Sequence, residues 1–222
     1  MPQKRKDLKI KGANLWYLAG LITSDGCLFK DGRHIDITSA DYEFLNKLKD
    51  ALELTNRVTV KYGFKKQRAF HMQIGNRNFY NFLLSIGLTP NKSLSLGAIN
   101  APSKFFIDFL RGVIDGDGGM QRWIHCTNGR EQWNLRIASG SMQFLEWLQN
   151  QIEILIRVQG RLHCEGPTRF RLKYGKMAAK AIVKQCYYQD CLGLDRKIKL
   201  ARECFDSYRG WDRSKTVLCG FS

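Results

Sequence analysis

Two acidic residues stand out by their setting. Asp25 and Asp117 each follow a stretch with helical spacing, and each is followed by glycine, in LITSDG and VIDGDG. Small residues precede them at four-residue spacing: Gly20 and Ser24 in the first stretch, Gly112 and Gly116 in the second. Residues four apart share one face of a helix, and small ones let two helices approach backbone to backbone. Packed in parallel, such helices bring their ends together, and with them the two carboxylates. Carboxylates that close repel one another and are stable when cations bridge them. Hard oxygen ligands without a Cys or His cluster point to Mg²⁺. A lone Asp-Gly after a helix is ordinarily a C-terminal turn. Its recurrence in a duplicated, basic chain turns the reading towards a metal site.

The charge says what such a site acts on. The 222 residues carry 36 Lys and Arg against 20 Asp and Glu, a net charge of +16, with 44% hydrophobic and 12% aromatic residues. That is enough apolar material for a folded core, and the excess charge calls for a polyanionic partner, above all nucleic acid. Metal ions held beside a DNA backbone generate hydroxide, stabilise the pentavalent phosphate and neutralise the leaving oxygen. No basic amphipathic helix is free of core duty, and no apolar run approaches about 18 residues, so neither a membrane surface nor a membrane span is expected. The seven cysteines, Cys27, Cys126, Cys164, Cys186, Cys191, Cys204 and Cys219, include no C-x-x-C pair. An odd number of them, behind an N-terminus MPQKRKDLKIKG with no apolar core, predicts mostly buried free thiols. No structural zinc is expected. The implied setting is an intracellular, reducing compartment (cytoplasm, nucleoid or organelle matrix) rather than secretion.

The elements that must position the two acids recur in the same order. Residues 1–12 are a lysine-rich arm. A helix over 13–24 leads into a hairpin with strands at 27–30 and 33–38 around Asp31-Gly32, a strong hairpin turn. A helix over 42–54, strands at 57–62 and 69–74, and a helix at 77–86 complete the first half. The second half has a helix at 104–115, strands at 119–126 and 132–138, a helix at 142–155, strands at 157–164 and 169–174, and a helix at 176–188. A last helix at 196–208 has no counterpart. Asp25 and Asp117 lie 92 positions apart, whereas Ile37 and Ile137, Ser39 and Ser139, Phe44 and Phe144, Arg57 and Arg157, and Phe70 and Phe170 all lie 100 apart. A longer first hairpin around 127–130 accounts for the difference. The predicted fold class is α+β, a duplicated αββαββα unit with pseudo-two-fold symmetry and two antiparallel sheets. Residues 13–100 form the first repeat, 101–200 the second, and 201–222 a helix end and tail.

The strands alternate, so one face of each sheet is apolar. Ile35, Ile37, Phe70, Met72 and Ile74 point inward, as do Leu135, Ile137, Phe170, Leu172 and Tyr174. The opposite face carries His34, Asp36, Thr38, Lys61, His71 and Gln73 in the first half, with Lys65, Lys66 and Arg68 in a basic turn. In the second half it carries Asn134, Arg136, Arg161, His163, Arg169, Arg171 and Lys173. Such a face is either ordinary solvated surface or a binding face. Its cationic bias and the basic turn favour binding, since a two-stranded ribbon fits the major groove, where these side chains read base edges.

The two helix ends carry a resemblance. LAGLITSDG, residues 18–26, resembles the signature of the LAGLIDADG homing endonucleases at seven of nine positions, and LRGVIDGDG, residues 110–118, at six of nine. The chain is similar to single-chain, two-repeat members of that family over roughly residues 13–200. The resemblance implies two sheets forming a saddle over the DNA major groove, two or three Mg²⁺ ions between the motif helices, and catalytic acids at Asp25 and Asp117. It implies one basic residue per site, Lys92 in GLTPNKS and Lys197 in GLDRKIKL, to polarise water or stabilise phosphorane charge. It also implies that Ser39 and Ser139 organise active-site water. The family's earlier acid is present as Asp115 and replaced by Thr23, at a position that serves the helix end. Arg111 replaces a small residue and is expected to point away from the seam.

The expected function is a monomeric homing endonuclease that breaks a long, asymmetric double-stranded DNA target. The chain begins at Met1 without flanking splicing motifs, which favours an intron-encoded or free-standing element over an intein. The alternative is a group I intron RNA maturase, acting on its own intron RNA on the same fold. A DNA-binding regulator with vestigial motifs would have lost one or both acids.

Overall fold

The computed structural model describes residues 10–62 and 68–207. The basic turn residues Lys65 and Lys66, most of the N-terminal arm and the tail from 208 onwards lie outside the described residues. The chain runs α1 (Gly12–Asp25), β1 (Gly26–Leu28), β2 (His34–Ser39), α2 (Tyr42–Ala51), β3 (Val58–Tyr62), β4 (Arg68–Gly75) and α3 (Arg77–Ser85). After a single 3-10 turn at Ser103–Phe105 the order repeats: α4 (Phe106–Asp117), β5 (Gly118–Ile124), β6 (Glu131–Ser139), α5 (Met142–Ile156), β7 (Arg161–Gly166), β8 (Arg169–Gly175) and α6 (Lys176–Cys186). A last helix, α7, spans Asp195–Asp206. The strands form two four-stranded antiparallel sheets, ordered β1-β2-β4-β3 and β5-β6-β8-β7. This is the duplicated α+β unit.

The period-2 pattern is realised in the register. Ile35 pairs with Ile74 and Ile37 with Met72 in the first sheet, while Leu135 pairs with Tyr174 and Ile137 with Leu172 in the second. All eight are buried to 1% exposure or less. Each such side chain contributes about 1.5–3 kcal/mol when removed from water, which fixes the inner face. Helices α2 and α3 cover that face in the first half, α5 and α6 in the second. Side-chain caps start them: Asp41 accepts from the Phe44 amide, Asn76 from Phe79, and Ser141 from Phe144.

One alignment does not hold. The expected strand at 157–164 begins only at Arg161. The apolar stripe Leu145, Leu148, Ile152 and Ile156 stays buried to the end of α5, so that helix runs 15 residues against 10 in α2. Arg157 then closes it in a left-handed conformation, φ 63°. Val58 and Leu162 are therefore the equivalent residues, paired with Met72 and Leu172 respectively. The cysteines also divide differently from expectation. Of the six described, Cys186, Cys191 and Cys204 are buried, and Cys27, Cys126 and Cys164 are exposed. No helix among the described residues is long and apolar enough to cross a membrane.

Candidate functional site

The site sits where α1 and α4 end. These two helices make the most extensive contact between elements among the described residues. A Cβ added to Gly20 would lie 2.0 Å from the Phe109 carbonyl oxygen, and one on Gly112 would lie 2.2 Å from that of Tyr17. Backbone therefore rests on backbone, as the small-residue spacing predicts. At the last turn, a Cβ on Gly116 would meet the Ser24 hydroxyl at 1.9 Å and the Asp25 Cγ at 3.4 Å. The carboxyl of Asp25 thus stands against the residue that precedes Asp117.

Each helix passes into its strand without a loop. A Cβ on Gly26 or on Gly118 would come within 2.6 Å of the Cα of Ile22 or Ile114, so only glycine makes the bend. The main chain is already extended at Gly26 and Gly118, which leaves Asp25 and Asp117 as the last helical residues.

The charges there are strained against each other. Packing of the helix ends, and secondarily the Asp117 carboxylate, pushes the Asp25 carboxyl up to about 6. Asp117, like Asp25, keeps its carboxyl at the surface of the site; partial desolvation by the packed helix ends raises it, while the ammonium groups of Lys92 and Lys197 pull it back. Both lysines are buried, and both hold a motif helix end. Lys92 donates to the Gly26 carbonyl. Lys197 donates to Gly118 at 2.9 Å, the equivalent carbonyl, and also to those of Ile114 and Asp115 at 2.6 Å and Gly116 at 3.2 Å. Burial lowers both lysines, Lys197 to about 8. The structure therefore gathers all four expected catalytic residues at one place.

The neighbouring motif positions serve structure. Asp115 is 1% exposed. It accepts the hydroxyls of Tyr17 and Tyr187 at 2.8 Å each and the Leu194 amide at 2.9 Å. It thereby ties α4 to the segment before α7. Thr23 returns its hydroxyl to the Ala19 carbonyl at 2.8 Å. Arg111 turns towards the C-terminal segment, bonding the carbonyls of Leu192 and Cys186 and pairing with Asp108 at 2.9 Å. Its guanidinium lies between the rings of Tyr17 and Tyr188, 5.0 and 4.9 Å from their centroids. The hydroxyls of Ser39 and Ser139 each accept the amide two residues on, Asp41 and Ser141, at 3.1 Å.

The expected base-reading residues in the described strands share the outward sheet faces, except Arg68, which alternates with Phe70 and Met72 and lies over the Phe70 ring; two more differ in exposure. Asp36 is only 4% exposed, and its carboxylate is taken by His71 Nδ1 at 2.7 Å and Lys61 Nζ at 3.1 Å. Asn134 is 1% exposed, beneath its neighbours. His34 bonds Asp31, and Arg171 pairs with Glu165 at 2.7 Å. Thr38 and Lys173 are half-buried, whereas Arg68, Gln73, Arg161, His163 and Arg169 stand exposed. Gln121 and Trp123, which the sequence reading passed over, lie on the same outward face with Asn134, Arg136 and Lys173. Continuing the alternation from inward-facing Met120 would have found them.

Among the described residues no three His, Cys, Asp or Glu side chains cluster as metal ligands. The donor set at the helix ends is still that of a hard cation. Two mutually repelling carboxylates, with main-chain carbonyls beside them, fit Mg²⁺ or Ca²⁺ and lack the soft ligands of zinc.

The family model of the LAGLIDADG-like domain matches residues 13–87, the first repeat and its motif helix. Residues 13–87 thus carry a LAGLIDADG-like domain. No curated protein matches its sequence. Among solved structures it is similar to the meganuclease I-SmaMI bound to uncleavable DNA (TM-score 0.60, 11% identity, 87% of this chain and 90% of that one). It is similar to mesophilic variants of the homing endonuclease I-DmoI (TM-score 0.56, 14% identity, 86% and 97%). It is also similar to full-length DUF199/WhiA from Thermatoga maritima (TM-score 0.57, 15% identity), covering 93% of this chain but only 66% of the length of that protein. At these identities the likeness is one of fold. The LAGLIDADG fold thus occurs in named endonucleases and in a protein not named as one, and the site has to decide between the two uses.

Proposed function

We propose that this chain is a site-specific DNA endonuclease that breaks both strands of a long, asymmetric duplex in a Mg²⁺-dependent reaction. The observation that carries this reading is the pairing of Asp25 with Asp117 at the ends of abutting helices, with a buried lysine behind each.

Asp25 and Asp117 would hold the divalent ions, completed by main-chain carbonyls, water and phosphate oxygens. Bound there, such ions activate water and neutralise charge on the phosphate. The protein supplies the rest. The glycine contacts fix the distance between the two helix ends, so that each carboxylate would face one strand of a duplex laid across them. Lys92 and Lys197 clamp the carbonyls after each acid, and their charge favours the ionised carboxylates over the protonated ones. The cationic second sheet and the mixed first sheet hold the duplex in the major groove on either side. The ions, the duplex and the intron-homing role rest together on this reading. A DNA-binding protein without cleavage would have no need of both acids.

The test is to join the DNA flanks of the reading frame into one duplex and incubate it with the protein in Mg²⁺, then in Ca²⁺. The expected result is binding in both and double-strand cutting in Mg²⁺ alone. Binding without cutting in Mg²⁺, on a duplex bound at nanomolar affinity, would leave only the DNA-binding reading.

A further inference from the structure

The outward face of the second sheet holds a recess of about 480 Å³, lined by Gln121, Arg122, Trp123, Asn134, Arg136 and Lys173. Asn134 lies at its base. Both atoms of its side-chain amide are buried without a hydrogen-bond partner, and so is Nε of Arg136. Buried polar atoms are nearly always paired, so unpaired ones converging on a recess mark a place that something else completes.

The first sheet sharpens the contrast. His34 and Asp36 occupy the equivalent positions, since they pair with Gly75 and Gln73 as Asn134 and Arg136 pair with Gly175 and Lys173. Those two residues are satisfied within the protein, His34 by Asp31 and Asp36 by His71 and Lys61. Their second-sheet counterparts are not.

We propose that Asn134 and Arg136 are specificity-determining residues that read an adenine and a guanine separated by one intervening base pair. This rests on the reading that the sheet face binds duplex DNA. A side-chain amide offers one donor and one acceptor, which match N6 and N7 of adenine, and a guanidinium matches O6 and N7 of guanine. Residues two apart on one strand are about 6.7 Å apart, and stacked base pairs rise about 3.4 Å each, so the two side chains span two steps. Gln121 and Lys173, the cross-strand neighbours of Asn134 and Arg136, line the same recess on flexible stems and yield to an entering base edge.

The test is selection from a pool of DNA duplexes with a randomised stretch, in Ca²⁺ so that bound DNA stays intact. The wild type enriches an adenine and a guanine with one position between them. Asn134→Ala weakens the adenine preference roughly 5-fold to 150-fold and keeps the guanine, and Arg136→Ala does the reverse. Asn134→Asp moves the adenine preference to cytosine, whose N4 amine a carboxylate accepts. Thermal melts verify that each variant is folded. An adenine preference that persists in folded Asn134→Ala or Asn134→Asp overturns the proposal while leaving DNA binding intact. A wild type that enriches no duplex overturns the DNA-binding reading, and this proposal with it.

Discussion

Gly20 and Gly112 occupy equivalent places across the pseudo-two-fold axis. Gly20 lies on the backbone of Phe109 and Val113, and Gly112 on that of Tyr17 and Leu21. The seam is therefore built twice from the same contact. Replacing either glycine by alanine drives a methyl group into a carbonyl that cannot move without shifting its helix. Each single change is expected to cost about 1–3 kcal/mol or more by urea unfolding. It is also expected to slow cutting in the folded fraction, because the two carboxylates move apart.

Arg111 is the second structural prediction. It is fully buried, and its charge partner Asp108 is 7% exposed. Arg111→Leu leaves that carboxylate buried without its counter-charge, the Tyr188 hydroxyl at 2.7 Å being its remaining donor, at an expected cost of about 3 kcal/mol. The double change Arg111→Leu with Asp108→Asn should recover part of the loss. A double-mutant cycle by chemical denaturation measures the coupling.

Metal binding should depend on pH with a definite sign. The Asp25 carboxyl is raised to about 6, so it is ionised above that pH and protonated below it. Ca²⁺ affinity, measured by calorimetry, should fall as pH drops through about 6. A raised carboxyl means the folded state binds its proton more tightly than the unfolded state. In the metal-free protein this group therefore favours folding as pH falls from about 6 towards 4, and bound Ca²⁺ should reverse that trend.

Lys92 and Lys197 should not behave alike. Lys197 uses its ammonium on four carbonyls around the end of α4, whereas Lys92 donates to one. Lys197→Met is expected to lower both the melting temperature and cutting. Lys92→Met should lower cutting with a smaller loss of stability. Thermal melts and cleavage rates on the same preparations separate the two.

The plan of the molecule was legible because two periodicities carry it. Alternation in β2, β4, β6 and β8 assigns the inner faces correctly, and four-residue spacing places Gly20 and Gly112 in the seam. The offset of 100 misled at one point. Ile156 extends the buried stripe of α5 by one more turn, which delays β7 and shifts its register by four residues relative to β3. The exposure of Asp36 and Asn134 was not legible either. Alternation says which face a side chain takes, but only the neighbours decide whether His71 and Lys61 close over it or a recess stays open. The network of Tyr17, Arg111, Asp115 and Tyr187 joins residues up to 98 positions apart, and no local pattern reports such contacts.

The most direct measurement is strand-resolved cleavage by Asp25→Asn and Asp117→Asn on a duplex the wild type cuts, with binding followed separately in Ca²⁺. Each variant is predicted to bind that duplex and to make no double-strand break. Either variant cutting both strands at the wild-type rate would contradict the assignment of Asp25 and Asp117 as the paired carboxylates of the reaction.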